Sequence, residues 1–179
     1  MGTFGCRVKS AQQYRHNVDK CPSPPTSRPM PKANPHAANL SGTPDEVEAA
    51  FYDALQCADI EKLMACWSDD NEVLCVHPSG PRVVGAVAIR AAFEAIFGHE
   101  GSIHIQPESI RRVDSMSAAV HSVLERIEVM TSEGLVQAYV LATNVFHKTP
   151  QGWRLVAHHA SPGTQDEVQE IHAGPQVLH

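Results

Sequence analysis

Several large classes of protein are excluded by what this sequence lacks. No two of its five cysteines (Cys6, Cys21, Cys57, Cys66 and Cys75) stand as a CxxC pair, and the odd number leaves one over. Three of them fall inside expected helices or a strand, where a free cysteine behaves as a small hydrophobe. A reducing, cytoplasmic setting is therefore expected rather than a disulfide framework. No apolar run approaches the roughly 18 residues that a membrane span needs, and the N-terminus has no apolar h-region of a secretory signal. Neither HxH nor HxxxH occurs, so a zinc site, which needs three or four converging ligands, is not expected, nor is any other cofactor.

Positive charge is scarce beyond the first stretch. Residues 1–42 carry six Lys or Arg against one acid, Asp19, whereas the remainder holds eight basic and nineteen acidic residues. A domain that acidic repels a phosphate backbone, which argues against a nucleic-acid partner.

At 179 residues and 42% hydrophobic content, the chain can bury one good core. From Pro22 to Pro35 it reads PSPPTSRPMPKANP, with almost nothing large and apolar to bury, so residues 1–42 are expected to be a disordered basic tail. Its acid-poor, Ser-containing character also has a transit-peptide flavour, and Met30 is an alternative start. The ordered domain is expected over 43–163, followed by a flexible tail over 164–179.

Order begins at TPDE, a capping box with Pro44 at the first helical position. Val47, Ala50, Phe51, Ala54, Leu55 and Ala58 then recur on one helical face. Asp59 can cap a second short helix with Ile60, Leu63, Met64 and Trp67 on its apolar side. Asp69, Asp70 and Asn71 end it, and Val73 to His77 reads as a short strand. After Gly85 a third helix shows Ile89, Ala92, Phe93, Ile96 and Phe97 at helical spacing, with Gly98 as its stop. Beyond Gly101 the period changes to 2, giving strands near 102–113, 117–130, 135–148 and 152–160 with short turns between them. In AYVLATNVF, apolar residues occupy both faces: Ala138, Val140, Ala142 and Phe146 on one, Tyr139, Leu141 and Val145 on the other. A sheet apolar on both sides is covered twice. Helices cover one side, and the other is expected to pack on a second copy as a C2 homodimer.

The fold class is thus α+β, three helices followed by a cone of curved antiparallel sheet. FYDALQCADIEKLMACWSDD, VLCVHPSGPRVVGAVAIRAAFEAIF, ATNVF and GWRLVAHHASP resemble the SnoaL-like, ketosteroid isomerase-like branch of the nuclear transport factor 2-like superfamily, over about residues 43–163. The resemblance implies a cystatin-like cone with a pocket between helices and sheet, and a dimer through the sheet. Its members include isomerases, dehydratases and cyclases as well as non-catalytic association domains, so the fold does not choose a function. The resemblance implies an apolar pocket for a small apolar or polycyclic molecule. Any chemistry there would be cofactor-free proton transfer of isomerase or lyase type; the alternative is a non-catalytic binding or association domain.

The candidate residues follow. His77, on a strand face with Val73 and Cys75, is either a base facing the cone or a histidine satisfied by a backbone carbonyl or helix carboxylate. His158 and His159 point to opposite sides of the last strand. Period 2 sets His159 with Trp153, Leu155 and Ala157, and the resemblance sets a histidine two positions before Ser161. His159 is therefore read as facing the pocket, and His158 as facing the dimer surface or rim. Tyr52 either donates into the cone or lies on the surface. Asp70 is a helix stop or a residue of the pocket mouth. Asn144 needs partners if buried, and either orients a ligand or bonds a neighbouring strand. Trp67, Phe93 and Phe97 are core, in part pocket wall. The resemblance supplies no catalytic Tyr–Asp or Asp–Arg–Asp set on matching positions. The titratable groups of the pocket are expected to be histidines, not carboxylates.

Overall fold

Residues 42–98, 103–131 and 134–164 are described in a computed structural model. Of the tails expected over 1–42 and 164–179, residues 1–41, with Met30, and 165–179 lie outside the described residues. Helix α1, Pro44–Gln56, starts where the sequence places it, the Thr43 hydroxyl accepting from Glu46 N at 3.2 Å. Helix α2, Ile60–Cys66, is capped by Asp59, whose Oδ1 accepts from Lys62 N. The strands β1, Leu74–Val76, and β2, Arg82–Val84, form a small hairpin. Helix α3, Ala86–Phe97, follows directly. Gly85 makes that junction at φ +89°, donating to Val73 O at 2.8 Å, a conformation that a side chain would strain.

Four long strands complete the fold: β3 Ile103–Asp114, β4 Ala118–Thr131, β5 Gly134–Thr149 and β6 Gly152–Gly163. They pair as the expected antiparallel meander. The sheet order is β2-β1-β6-β5-β4-β3, and β1 joins β6 in parallel. It is curved and unclosed, with the three helices packed against it. Pro107 in β3 is tolerated because β3 is an edge strand. No helix among the described residues is long and apolar enough to cross a membrane.

Alternation along β4 and β5 assigns the faces. Ala119, His121, Val123 and Glu125 are buried, as are Val140, Ala142, Asn144 and Phe146. The residues between them form an outer face that includes exposed Val120 and Leu141. The core on the inner side gathers Phe51, Trp67, Phe93, Phe146, Leu63 and Leu155. Phe51 sits at its centre, with ring centroids 5.4 Å from Tyr52, 6.4 Å from Trp67, 6.2 Å from Phe93 and 5.4 Å from His158. The interior of the cone is packed with aromatic rings.

The last strand corrects the sequence reading. The β5–β6 register runs Phe146 with Leu155, then Val145 with Ala157, so Val156 is the extra residue of a bulge. Alternation changes phase there. Leu155 faces inward, and so do His158 and Ala160, while His159 is exposed. The expected roles of His158 and His159 are exchanged. Cys66 and Cys75 are free and buried.

Candidate functional site

The inner face of the sheet carries a transverse row of register partners: Arg112, His121, Asn144, His158 and Cys75. Polar groups buried together this way must satisfy one another, and α1 supplies the remaining partners. Glu48 and Tyr52, one helical turn apart, both reach down to this row. Asn144 Nδ2 donates to Glu48 Oε1 at 3.0 Å and to the Tyr52 hydroxyl at 3.2 Å. Tyr52 donates in turn to Glu125 Oε1 at 2.7 Å. His158 Nδ1 lies 2.7 Å from Asn144 Oδ1. Since the Asn144 amide nitrogen is committed as donor, its oxygen accepts and His158 Nδ1 carries the proton. His121 Nδ1 is 3.1 Å from Glu48 Oε2, within ion-pair distance but misdirected for a hydrogen bond, and neither of its ring nitrogens has a hydrogen-bond partner among the described residues.

Burial governs the titration of these groups. It raises the Glu125 carboxyl to about 7, the nearby charge of Glu48 adding to the effect and the Tyr52 hydrogen bond opposing it. Burial, with the charge of Glu125, lifts the Tyr52 phenol well above its ordinary value. His158 is pushed down to about 3, first by burial and then by the neighbouring His77 and His159, so it is neutral. The thiols of Cys66 and Cys75 are raised by burial to about 12, which leaves neither as a nucleophile.

A cleft of about 400 Å³ opens between α1 and β3. One face of α1 lines it with Asp45, Glu48, Ala49, Tyr52, Asp53 and Gln56; Pro107, Ile110 and Arg112 line it from β3. The strand is irregular at this point: its register with β4 shifts between Glu108 and Arg111, and Ser109 takes φ +42°. The helix is tied to the strand on both sides of the gap. Arg112 Nε donates to Asp45 Oδ1 at 2.6 Å, and Gln56 Nε2 donates to Ile105 O at 2.7 Å. Glu48 and Tyr52 belong both to the cleft and to the buried network, so the network is the cleft's floor.

The residues singled out from sequence divide between these regions. Tyr52 is buried at the cleft floor, which overturns its reading as a surface residue: its position beside Phe51 turns it toward the sheet. Asn144 is buried at the centre of the network and bonds α1 and β6. Trp67 and Phe93 are core, and Phe97 packs partly buried beside them. The Trp67 indole nitrogen is buried without a hydrogen-bond partner among the described residues. Asp70 is exposed and accepts from Glu72 N at 2.9 Å, so its turn role is the one seen. His77 is half-buried, edge-on to Phe93 at 4.9 Å, with Nε2 3.7 Å from Cys75 Sγ. Burial lowers its pKa, so the Cys75–His77 contact joins two neutral groups. His77 and His159 do not meet, because His159 lies on the outer face in register with Thr143.

Glu48, His121 and Glu125 were missed, and with them the carboxylates that correct the expectation of a histidine-only site. The signal was present in β4, where His121 and Glu125 alternate with Ala119, Val123 and Ile127 on the core-facing register. Among the described residues, no group of three or more His, Cys, Asp or Glu could hold a metal ion.

The relatives of the chain agree with this architecture. A structure from Thiobacillus denitrificans, assigned as a calcium/calmodulin-dependent protein kinase type II association domain, is 32% identical, with TM-score 0.63 over 68% of this chain and 96% of that one. A protein from Streptomyces avermitilis, assigned as a dehydratase of the nuclear transport factor 2-like family, is 29% identical, with TM-score 0.60 over 66% of this chain and 92% of that one. The calcium/calmodulin-dependent protein kinase type II hub of S. rosetta, at 20% identity and TM-score 0.58 over 75% of this chain and 100% of that one, shares the fold. No curated protein matches the chain. The SnoaL-like domain model matches residues 45–165. With three helices on a curved six-stranded sheet, the chain belongs to the SnoaL-like family of the nuclear transport factor 2-like superfamily.

Proposed function

We propose that the protein is a non-catalytic, self-associating domain that binds a small molecule in the cleft between α1 and β3. The observation that carries this reading is the closure of the network beneath the cleft. Tyr52 gives its proton to Glu125 and accepts from Asn144, and Asn144 uses both ends of its amide. These hydrogen bonds commit Tyr52, Asn144 and Glu125 to partners within the fold, whereas acid–base catalysis would need a donor or base directed at a ligand atom. The cone itself, the place expected for a catalytic pocket, is filled by Phe51 and its aromatic neighbours. The cleft offers the usual mixture of apolar wall and a few polar groups, and its volume falls within the roughly 300–1,000 Å³ of small-molecule sites. Ala49, Pro107 and Ile110 would hold the apolar body of a ligand. Similarity to an association domain at 32% identity supports the same reading.

The occupant proposed for the outer face of the sheet is a second copy of the chain. Val113, Val120 and Leu141 are 73%, 38% and 38% exposed there. Large apolar side chains exposed on one sheet face are what an interface covers.

One observation favours a second reading, a proton-transfer enzyme of isomerase or dehydratase type. Glu125, near 7, titrates where a general acid or base is useful, and it reaches the cleft through Tyr52. A 29% identical relative is assigned as a dehydratase. Crystals of the full chain soaked with a fragment mixture separate the sites. Density between Ala49 and Ile110 is expected; density among His77, Phe93 and Phe97, with the aromatic rings displaced, would overturn the cleft reading.

A further inference from the structure

The core side of the sheet extends past the end of α1. That helix stops at Gln56, whose Nε2 donates to Ile105 O. The antiparallel register sets Ile105, Ile127 and Ala138 in one row and Val129 and Val136 in the next. All five share the face of Glu125 and Val140, so they prolong the inner side of the sheet as an apolar shelf. Ile105 and Ile127 pack half-buried against the core. Beyond them Val129 is half-buried, Ala138 is exposed and Val136 is 52% exposed. Exposed apolar side chains on the core side of a sheet call for a cover.

The chain itself delivers one to this place. Strand β6 ends at Gly163, paired with Tyr139, whereas β5 extends back to Gly134. Thr164 therefore stands at the border of the shelf, followed in sequence by 165–179. Continued as a strand in the same register, the chain would set Asp166 beside Val136, a carboxylate against an apolar surface. The sequence favours a helix instead. TQDE, Thr164 to Glu167, is a capping box, acids occupy the first turn, and Gly174 with Pro175 ends the run. Val168 and Ile171 lie one helical turn apart, on one face.

We propose that residues 165–173 form a helix that lies on this shelf, with Val168 and Ile171 seated on Ile127, Val136 and Ala138. Nine residues at about 1.5 Å each span roughly 13 Å. The three strands β3, β5 and the intervening β4 are roughly 10 Å across, so a helix of this length bridges them. Asp166, Gln169 and Glu170 fall on its opposite side, in water. The segment closes the end of the cone that α1 leaves open, whatever the cleft binds.

The test is a methyl NOE spectrum of the full chain with labelled isoleucine and valine. Ile171 is expected to contact Ile127 and Val136. The contacts should persist on dilution, and should be absent between chains in an equal mixture of labelled and unlabelled protein. Ile171→Asp is expected to abolish the contacts of Val168 as well. It should shift the Val136 methyl signals while those of Val47 and Val123, in the core, stay in place. Contacts found only between chains would give the shelf to the segment of a second copy and overturn the proposal. An Ile171 without contacts to the shelf, or Val136 signals unmoved by Ile171→Asp, would overturn it equally.

Discussion

Asn144 Oδ1 lies 2.7 Å from His158 Nδ1 and accepts its hydrogen bond. With its oxygen accepting, the Asn144 amide nitrogen must donate, and it does so to Glu48 and Tyr52. One side chain thus ties β5 to β6 and to α1.

Removing it should be expensive. Asn144→Ala leaves Glu48, Tyr52 and His158 each short of a buried partner, and a loss of roughly 3 kcal/mol or more is expected in denaturant unfolding. Asn144→Asp should be worse, because it adds a carboxylate beside Glu48 and Glu125. Stability close to that of the parent in Asn144→Ala would mean that the network is water-filled or loosely bonded.

Glu125 gives a pH signature whose sign is fixed. Its carboxyl rises from 4.5 to about 7 on folding, so the native state holds a proton that the unfolded chain has released. Its contribution is complete below pH 4.5 and is lost as pH rises through about 7, by up to about 3 kcal/mol. His158 acts in the opposite sense: depressed from 6.5 to about 3, it stabilises above pH 6.5 and loses that contribution on acidification. The two oppose each other between pH 4.5 and 6.5. Glu125→Gln keeps an acceptor for Tyr52 and removes the first effect. The decline in denaturation midpoint that Glu125 contributes between pH 4.5 and about 7 should be absent from the variant, while the acid-side loss from His158 becomes plainer. A parent and variant with parallel pH profiles would contradict this.

The exchange of the adjacent histidines is testable by stability alone. His158→Ala strands Asn144 Oδ1 and opens a gap beside Phe51, so a loss of roughly 2–3 kcal/mol is expected. His159→Ala changes an exposed position and should stay within about 0.5 kcal/mol. The reverse order in thermal or chemical unfolding would place His159 inside.

The outer face should carry the dimer. Val120→Glu combined with Leu141→Glu puts charge on two exposed apolar positions of neighbouring strands. Sedimentation is expected to show a dimeric parent and a monomeric double variant with unchanged circular dichroism. A double variant that sediments as the parent does would remove this face from the assembly.

Most of the architecture was legible because it rests on local signals. Thr43 and Asp59 cap the helices they were expected to cap, and the change of period after Gly101 marks the start of the meander. The faces of the last strand were not legible. A bulge at Val156 depends on how β6 pairs with β5, and period-2 reading carried through it assigns every later side chain to the wrong side. The site was hidden for a related reason. Glu48 and Glu125 are far apart in sequence, and each looks like an ordinary surface acid until α1 is laid on β4. His77, the most conspicuous residue in the text, is held by Phe93 and Cys75 away from the cleft lining.

The most direct test of the cleft is to fill it. Ala49 is exposed on the α1 wall, so Ala49→Trp can occupy the space without disturbing the core. Amide spectra of parent and variant are recorded with a fragment set that spans amines, acids and alcohols. The account predicts that shifts in the parent gather at Ala49, Gln56 and Ile110, and disappear in Ala49→Trp. Shifts that gather instead at His77, Phe93 and Phe97, or that persist unchanged in the filled variant, would contradict it.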